Sequence, residues 1–194
     1  FSMFDHFNNQ KSDFLKKRDK SKKGIIDKDA VKIVSKINSK GDYYTTSSCS
    51  GRIVLLEKLS NKKNESRWIF AKHNKVKFSE IYGSLKKHKN KKINSQVWLK
   101  QEPLILHVRC RDINSAKRLL DNSRNIFKRA GIISFGSKKI IIEIIGSERI
   151  DTMIKSGSIM PDQDYLEELL RAANYNFAEN KMKTGEFFKL INNL

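Results

Sequence analysis

The fold is decided by residues 104–145, which read LILHVRCRDINSAKRLLDNSRNIFKRAGIISFGSKKIIIEII. Leu104 to Cys110 alternates between two faces and predicts a strand. Asp112 is placed to cap a helix, which we expect to end at Gly131. Two apolar runs on either side of a Gly-Ser turn then predict a hairpin: Ile132 to Phe135 and Ile140 to Ile145. A strand, a helix and a hairpin in succession are typical of α+β domains.

The same order of elements occurs earlier in the chain. Asp27 is placed to cap a helix that ends at Gly41. Two strands follow around a turn at Ser50-Gly51, namely Tyr43 to Ser48 and Ile53 to Leu56. This order suggests an internal duplication of a helix–hairpin unit, although it is also common in unrelated α+β chains. Because hairpins outnumber parallel crossovers, we predict an α+β fold with a mixed, largely antiparallel sheet and helices on one side.

The remaining segments surround these two stretches. Residues 4–26 form a basic N-terminal segment, and patterning from Asp164 onwards predicts a closing helix. Residues 68–71 predict a strand, residues 78–85 a short helix and residues 86–92 a basic loop. We expect one domain over residues 1–194, with a first half at 27–111 and a second half at 112–194.

The charge of the chain restricts its partners. Its 194 residues carry 40 Lys and Arg against 21 Asp and Glu, a formal charge of +19. This excess predicts a polyanionic partner, with nucleic acid ahead of an anionic membrane surface. No apolar run approaches the ~20 residues of a membrane span, and no signal peptide is recognisable. We therefore expect a cytoplasmic protein without a membrane partner.

Several classes of site are excluded by missing motifs. Two cysteines are too few for a disulfide framework or a four-thiolate zinc site. None of the nine glycines forms a Gly-x-Gly pair, so the dinucleotide fingerprint and the glycine-rich phosphate loop are both missing. A Rossmann fold is therefore not expected, and no metal site is predicted.

The strand around His107 has two different faces. Leu104, Leu106, Val108 and Cys110 form a core stripe, whereas His107, Arg109 and Arg111 lie opposite. A titratable base beside two guanidinium groups suits an anionic substrate, but a solvated basic face would have the same pattern. His107 and Cys110 point to opposite faces, so we expect Cys110 in the core and not in a metal site.

A block of small polar side chains precedes an arginine at residues 45–52, TTSSCSGR. Hydroxyl groups and backbone amides can approach a phosphate or carboxylate, and Arg52 can bind it bidentately. A Thr/Ser-rich hairpin is the alternative. The basic runs at residues 16–23 and 86–92 are similarly either RNA contacts or solvated segments.

Five segments between Asp19 and Asn174 carry a more specific signal. They are Asp19-x-Ser21-x-Lys23-Gly24-x-x-Asp27, Thr45-Thr46-Ser47-Ser48-Cys49-x-Gly51-Arg52-Ile53, His73, Leu99-Lys100-x-Glu102-Pro103-x-x-Leu106-His107-Val108-x-Cys110-Arg111, and Tyr165 with Ala173-Asn174. Together they resemble a known family, the wybutosine-synthesis tRNA N4-methyltransferases of archaea and eukaryotes.

The resemblance implies an activity and a set of functional positions. Members use S-adenosylmethionine to methylate a tricyclic guanosine derivative beside the anticodon of phenylalanine tRNA. We therefore expect tRNA-Phe as substrate and no obligate protein partner. The candidate catalytic residues are His107, His73 and Asp27, the candidate cofactor-binding residues are Ser47, Ser48, Cys49 and Arg52, and the candidate tRNA-binding residues are Lys23, Lys100, Arg109 and Arg111.

Two other functions would also fit parts of the sequence. A non-catalytic tRNA- or rRNA-binding module explains the charge but leaves the cluster of His, Arg, Ser and Cys residues without a role. A metal-dependent nuclease needs converging carboxylates, and no such cluster is recognisable.

Overall fold

The computed structural model describes residues 3–18, 28–59, 66–88, 95–136 and 139–194. These ranges contain five α-helices: α1 (Met3–Arg18), α2 (Lys28–Asn38), α3 (Phe78–Lys87), α4 (Ile113–Arg124) and α5 (Gln163–Leu190). They also contain nine strands: β1 (Tyr43–Cys49), β2 (Arg52–Lys58), β3 (Ser66–Lys72), β4 (Gln96–Glu102), β5 (Ile105–Cys110), β6 (Gly131–Gly136), β7 (Lys139–Ile145), β8 (Ile150–Ser156) and β9 (Ser158–Ile159). None of the helices in these ranges is long and apolar enough to cross a membrane.

The chain divides into two compact units, each assembled from separate stretches. Unit 1 comprises residues 1–49, 105–145 and 185–194, and unit 2 comprises residues 50–104 and 146–184. Unit 1 contains a sheet in the order β1-β5-β7-β6, and unit 2 a sheet in the order β3-β2-β4-β8-β9. Every strand pair in the described ranges is antiparallel. The predicted α+β class is confirmed, with two antiparallel sheets in place of one mixed sheet.

The sheet of unit 1 is covered differently on its two faces. On one face, the buried side chains form the core of the unit. Helix α4 contacts this face, where the Tyr43 hydroxyl donates to the Ser115 carbonyl, 3.0 Å away. The predicted core stripe is confirmed, because Leu106, Val108 and Cys110 are all fully buried. Helix α1 contacts the opposite face through the Phe14 ring, 5.4 Å from that of Tyr44. Helices therefore contact both faces of this sheet, whereas the sequence predicted only one.

The hairpin predicted over residues 43–56 is wrong. β1 pairs with β5 in unit 1, whereas β2 lies between β3 and β4 in unit 2. The intervening Ser50 and Gly51 are buried, and a tight hairpin turn would be exposed. Residues 131–145 do form the predicted β6–β7 hairpin. The two stretches therefore do not repeat one helix–hairpin unit.

The cap predicted for α4 is confirmed. The Asp112 carboxylate accepts from the Ser115 backbone N–H at 2.8 Å, and this bond helps hold the pKa of Asp112 below its ordinary value. Helix α4 ends at Arg124, earlier than predicted from Gly131. Asp27, the predicted cap of α2, lies outside the described residues.

Unit 2 has its own core between its sheet and helices α3 and α5. The fully buried members include Ile53, Leu55, Val97, Leu99 and Ile81. Asn180 of α5 is also fully buried; its amide nitrogen donates to the Ser50 carbonyl and its oxygen accepts from the Leu104 N–H, both at 2.7 Å. One buried side chain thus anchors two chain segments that are far apart in sequence.

Candidate active site

The predicted functional residues are divided between the two units. Unit 1 contains Ser47, Ser48, Cys49, His107, Arg109 and Arg111, and unit 2 contains Arg52, His73 and Lys100. Asp27 and Lys23 lie outside the described residues. Each unit therefore holds its own set of candidate residues.

In unit 1, His107 lies beside a carboxylate that the sequence did not identify as functional. His107 of β5 and Glu143 of β7 are cross-strand partners, and His107 Nε2 lies 2.9 Å from Glu143 Oε2. The two side chains are 29% and 28% exposed, so solvent and ligands can reach them. The only sequence signal for Glu143 is that it interrupts the apolar run of residues 140–145.

The hydroxyl-rich strand β1 lies on the other side of β5. Ser47 is the cross-strand partner of His107, and Cys49 that of Ile105, so both side chains share the face of His107. Ser48 is paired with the buried Leu106 and belongs to the opposite face. A register shift between Thr45 and Ser47 disrupts the alternation in this strand. The sequence-predicted Ser47 and His107 are thus brought together.

Arg109 is fixed within the sheet of unit 1. Its side chain is buried, and its Nη1 donates to the Cys110 carbonyl and, at 3.4 Å, to the Ile140 carbonyl. Burial raises the pKa of the neighbouring Tyr44 hydroxyl, and the Arg109 guanidinium opposes this shift. A guanidinium held in this way loses little conformational entropy when it binds an anion.

Arg111 is engaged in contacts within unit 1. Its Nε donates to Asp42 Oδ1 at 2.7 Å, and its Nη2 donates to Asn8 Oδ1 at 2.9 Å and to the Gly41 carbonyl at 3.1 Å. These bonds connect the end of β5 to α1 and to the segment after α2. Contact between Arg111 and tRNA stays a prediction.

An open cavity of about 400 Å³ lies between α1 and the strand face that carries Tyr44 and Arg109. Its lining combines cationic, anionic and aromatic side chains: Gln10, Asp13, Phe14, Lys17, Tyr44, Arg109 and Lys139. His107 and Glu143 are not among the lining residues; the link to them is Arg109, which lies two residues from His107 on the same face of β5. Among the α1 residues of this lining, Lys17 belongs to the basic run at residues 16–23 that was considered for RNA contact, whereas Gln10, Asp13 and Phe14 gave no such signal.

In unit 2, Arg52 is held by two neighbours. Its Nε donates to Glu102 Oε2 at 2.5 Å, and its guanidinium carbon lies 3.6 Å from the centroid of the Trp68 ring. Trp68 is about half exposed, which places this stacked pair at the surface. The charge of Arg52 is thus already balanced by a carboxylate within the protein.

His73 and Lys100 also have partners within unit 2. His73 Nδ1 lies 2.8 Å from the Gly51 carbonyl oxygen, and Lys100 Nζ lies 3.0 Å from Asp151 Oδ2. Because a carbonyl only accepts, His73 Nδ1 carries the proton. Both residues stay candidates, His73 for catalysis and Lys100 for tRNA binding.

Cys110 has the environment expected of a core residue. It is fully buried, its thiol lies 3.8 Å from the Val108 carbonyl, and burial raises its pKa to about 12. The prediction that Cys110 packs in the core is confirmed. Within the described residues, no three His, Cys, Asp or Glu side chains are grouped as metal ligands.

Comparison with known proteins identifies the family. The profile of the family "Methyltransferase TYW3" matches residues 9–193. This chain belongs to the TYW3 methyltransferase family. The resemblance stated from the sequence motifs is thereby confirmed.

Relatives within the TYW3 family come from archaea and animals. A Methanocaldococcus jannaschii protein, named tRNA(Phe) 7-((3-amino-3-carboxypropyl)-4-demethylwyosine(37)-N(4))-methyltransferase, is 38% identical over 157 residues, 79% of each chain. The tRNA wybutosine-synthesizing protein 3 homolog of Mus musculus is 32% identical over 194 residues, covering 95% of this chain and 72% of that protein. A solved Pyrococcus horikoshii structure is 30% identical, with a TM-score of 0.88 over 97% of both chains.

Proposed function

We propose that this TYW3-family protein methylates the N4 ring nitrogen of a tricyclic wyosine precursor, at the guanosine 3′ of the anticodon in tRNA-Phe. The support is family membership over nearly the whole chain, with relatives named for this reaction. The formal charge of +19 suits a polyanionic substrate. The methyl donor that we propose is S-adenosylmethionine, which supplies an electrophilic methyl group on a sulfonium.

The observation that carries the proposed chemistry is the contact between His107 and Glu143. Because the carboxylate accepts from Nε2, the lone pair of the neutral imidazole lies on Nδ1. We assign Nδ1 as the base that takes the proton lost from the acceptor nitrogen. Glu143 holds the ring in one tautomer and stabilises the imidazolium that results. His73 and Asp27 are the second candidates for this role.

The residues around His107 are chemically suited to hold the donor. The Ser47 hydroxyl and Cys49 thiol border the same face. The described lining of the cavity at Arg109 offers aromatic walls, three cations and one carboxylate. Such a lining matches a ligand that has a planar base, hydroxyl groups and a zwitterionic end. Ser48 and Arg52 remain proposed cofactor contacts, although Ser48 belongs to the other face and Arg52 pairs with Glu102.

The contribution of the protein to the rate is mainly positioning. Methyl transfer from a sulfonium is an in-line displacement, so the acceptor nitrogen and the methyl carbon must be aligned. We propose that Lys23, Lys100, Arg109 and Arg111 contribute to holding the tRNA. Of the three described members of this set, Arg109 alone lines the cavity next to His107.

The experiment is nucleoside mass spectrometry. Transfer RNA-Phe isolated from cells that lack this methylation step is incubated with the protein and S-adenosylmethionine, digested and analysed. A gain of one methyl mass on the tricyclic nucleoside alone is the expected result. Methylation of an ordinary guanosine would support the proposed type of reaction but contradict the proposed substrate. No methylation of competent tRNA that nevertheless binds would favour the non-catalytic RNA-binding module.

A further inference from the structure

The cavity of unit 1 contains charges of both signs on an aromatic wall. Among the described residues that line it, Asp13 is the only carboxylate, whereas Lys17, Arg109 and Lys139 are cationic. A site that received only RNA phosphate would gain nothing from Asp13, because like charges repel. The mixture therefore points to a ligand that is itself zwitterionic.

We propose that this cavity binds the α-amino-acid end of a ligand, with Asp13 facing the ammonium group and the three cations facing the carboxylate. The inference rests on the proposed function and names a subsite of it. Phe14 and Tyr44, whose rings lie 5.4 Å apart, form the apolar wall for the methylene chain of that ligand.

Two participants in the proposed reaction carry this chemistry. S-adenosylmethionine ends in an α-amino acid. The substrate named for the Methanocaldococcus jannaschii relative has a 3-amino-3-carboxypropyl group, which ends in the same way. The ligand chemistry is shared, so the experiment must separate the two sources.

The geometry connects this subsite to the reacting groups. Arg109 is buried and oriented by two backbone carbonyls, so it forms a rigid back wall. His107 is two residues away on the same face, about 6.5 Å along the strand. Lys17 and Lys139 are exposed at the rim. A ligand whose amino-acid end is held at Arg109 would thus have His107 within reach of its other atoms.

The first experiment tests the methyl donor as the source. Calorimetry compares S-adenosylhomocysteine with 5′-methylthioadenosine, which retains the adenosine and thioether but lacks the amino-acid end. If the donor occupies the cavity, Asp13→Asn and Lys139→Gln each lower the affinity for S-adenosylhomocysteine about tenfold, as expected for a lost charge-assisted bond. Neither variant changes the affinity for 5′-methylthioadenosine. Lys117→Gln, on an exposed part of α4, is the matched control and changes the affinity for neither ligand.

The second experiment tests the tRNA side chain. Affinity is measured for tRNA-Phe with the 3-amino-3-carboxypropyl group and for tRNA-Phe whose tricyclic base lacks it. If the tRNA occupies the cavity, Asp13→Asn reduces the preference for the first tRNA about tenfold, whereas Lys117→Gln does not. If neither ligand pair responds to either cavity variant, the inference is wrong. Because both readouts are affinities, this failure is distinct from an absence of methylation, which would overturn the proposed function.

Discussion

His107 Nε2 lies 2.9 Å from Glu143 Oε2, across neighbouring strands of an antiparallel sheet. The contact follows from strand register, because residues directly opposite one another have Cβ atoms about 5 Å apart on one face. A shift of one residue would move Glu143 into the core face and separate the pair. The basic strand face predicted from the sequence therefore also contains a carboxylate that orients its histidine.

The first prediction concerns His107 itself. His107→Ala should lower kcat by about 100-fold or more, because the acceptor proton loses its base. The affinity for tRNA should remain nearly unchanged, since one partly exposed imidazole contributes little to polyanion binding. Single-turnover methylation and filter binding measure the two effects. A decrease of only a few-fold in kcat would reassign the base to His73, Asp27 or water.

The second prediction concerns Glu143 as a positioning residue. Glu143→Gln keeps the side-chain size but removes the charge that favours the imidazolium, so we expect kcat to decrease about tenfold with KM unchanged. The effect should disappear in a His107→Ala background, because Glu143 acts through His107. Glu168→Gln, on an exposed part of α5, is the control. Additive losses in the double variant would show that Glu143 acts independently of His107.

Elements with strong local signals were predictable from the sequence. The alternation at residues 105–110 and the Asp112 cap reflect local chemistry, and both are confirmed. The pairing of β1 was not predictable, because Ser50-Gly51 has the residue types of a hairpin turn. Only its burial in the structure shows that it is not one. β4 was also missed as a separate strand. Its buried positions Val97, Leu99 and Gln101 do alternate, but a glutamine among them weakens the apolar pattern.

Which site residues lie side by side was predictable only within a single strand. His107 and Arg109 share a face by alternation alone. Their neighbours Glu143 and Tyr44 come from strands distant in sequence, and pairing register decides which residues lie opposite. The cavity also needs α1, whose contact through Phe14 is a tertiary property. Arg52 was predicted from its residue type, and its partner Glu102 is visible only once β2 and β4 are paired.

The third prediction concerns electrostatic binding of tRNA. Affinity should decrease steeply with salt, because each phosphate contact releases condensed counterions. Lys87→Glu, at the exposed end of α3, should weaken binding and reduce the slope of log K against log salt by about one unit. Lys117→Glu changes the net charge equally and should leave the slope nearly unchanged. Fluorescence anisotropy over a salt series provides the measurement, and an affinity that does not depend on salt would contradict the prediction.

The fourth prediction concerns stability at high pH. Burial raises the pKa of Cys110 to about 12, whereas the thiol of the unfolded chain ionises near its ordinary value of ~8.5. The neutral buried thiol therefore contributes stability below the unfolded pKa, and this contribution is lost as the pH rises towards the folded pKa. Between these two pKa values, the free energy of unfolding should decrease by up to about 1.4 kcal/mol per pH unit. Urea unfolding at pH 8 and pH 10.5 should show a smaller decrease for Cys110→Ala than for the parent, and equal decreases would exclude the thiol as the cause.

The fifth prediction concerns the buried contact between Gly51 and Asn180. Gly51 has a φ of +105°, and a Cβ there would lie 2.7 Å from Asn180 Nδ2 and 2.9 Å from the Glu102 carbonyl oxygen. Gly51→Ala should therefore lower the free energy of unfolding by roughly 3 kcal/mol, from backbone strain and this close contact. Asn180→Ala should cost roughly 2–5 kcal/mol, because the Ser50 carbonyl and the Leu104 N–H lose their partner in a buried environment.

A matched control and a double variant separate the causes of these losses. Gly83 lies in α3 with open space around its Cβ position, so Gly83→Ala should leave stability unchanged or raise it by up to about 1 kcal/mol. Combining Gly51→Ala with Asn180→Ala removes one of the two clashing groups, so the total loss should be smaller than the sum of the single losses. Strict additivity, measured by urea unfolding, would show that the strain at residue 51 comes from the backbone alone and that Asn180 acts only through its two hydrogen bonds.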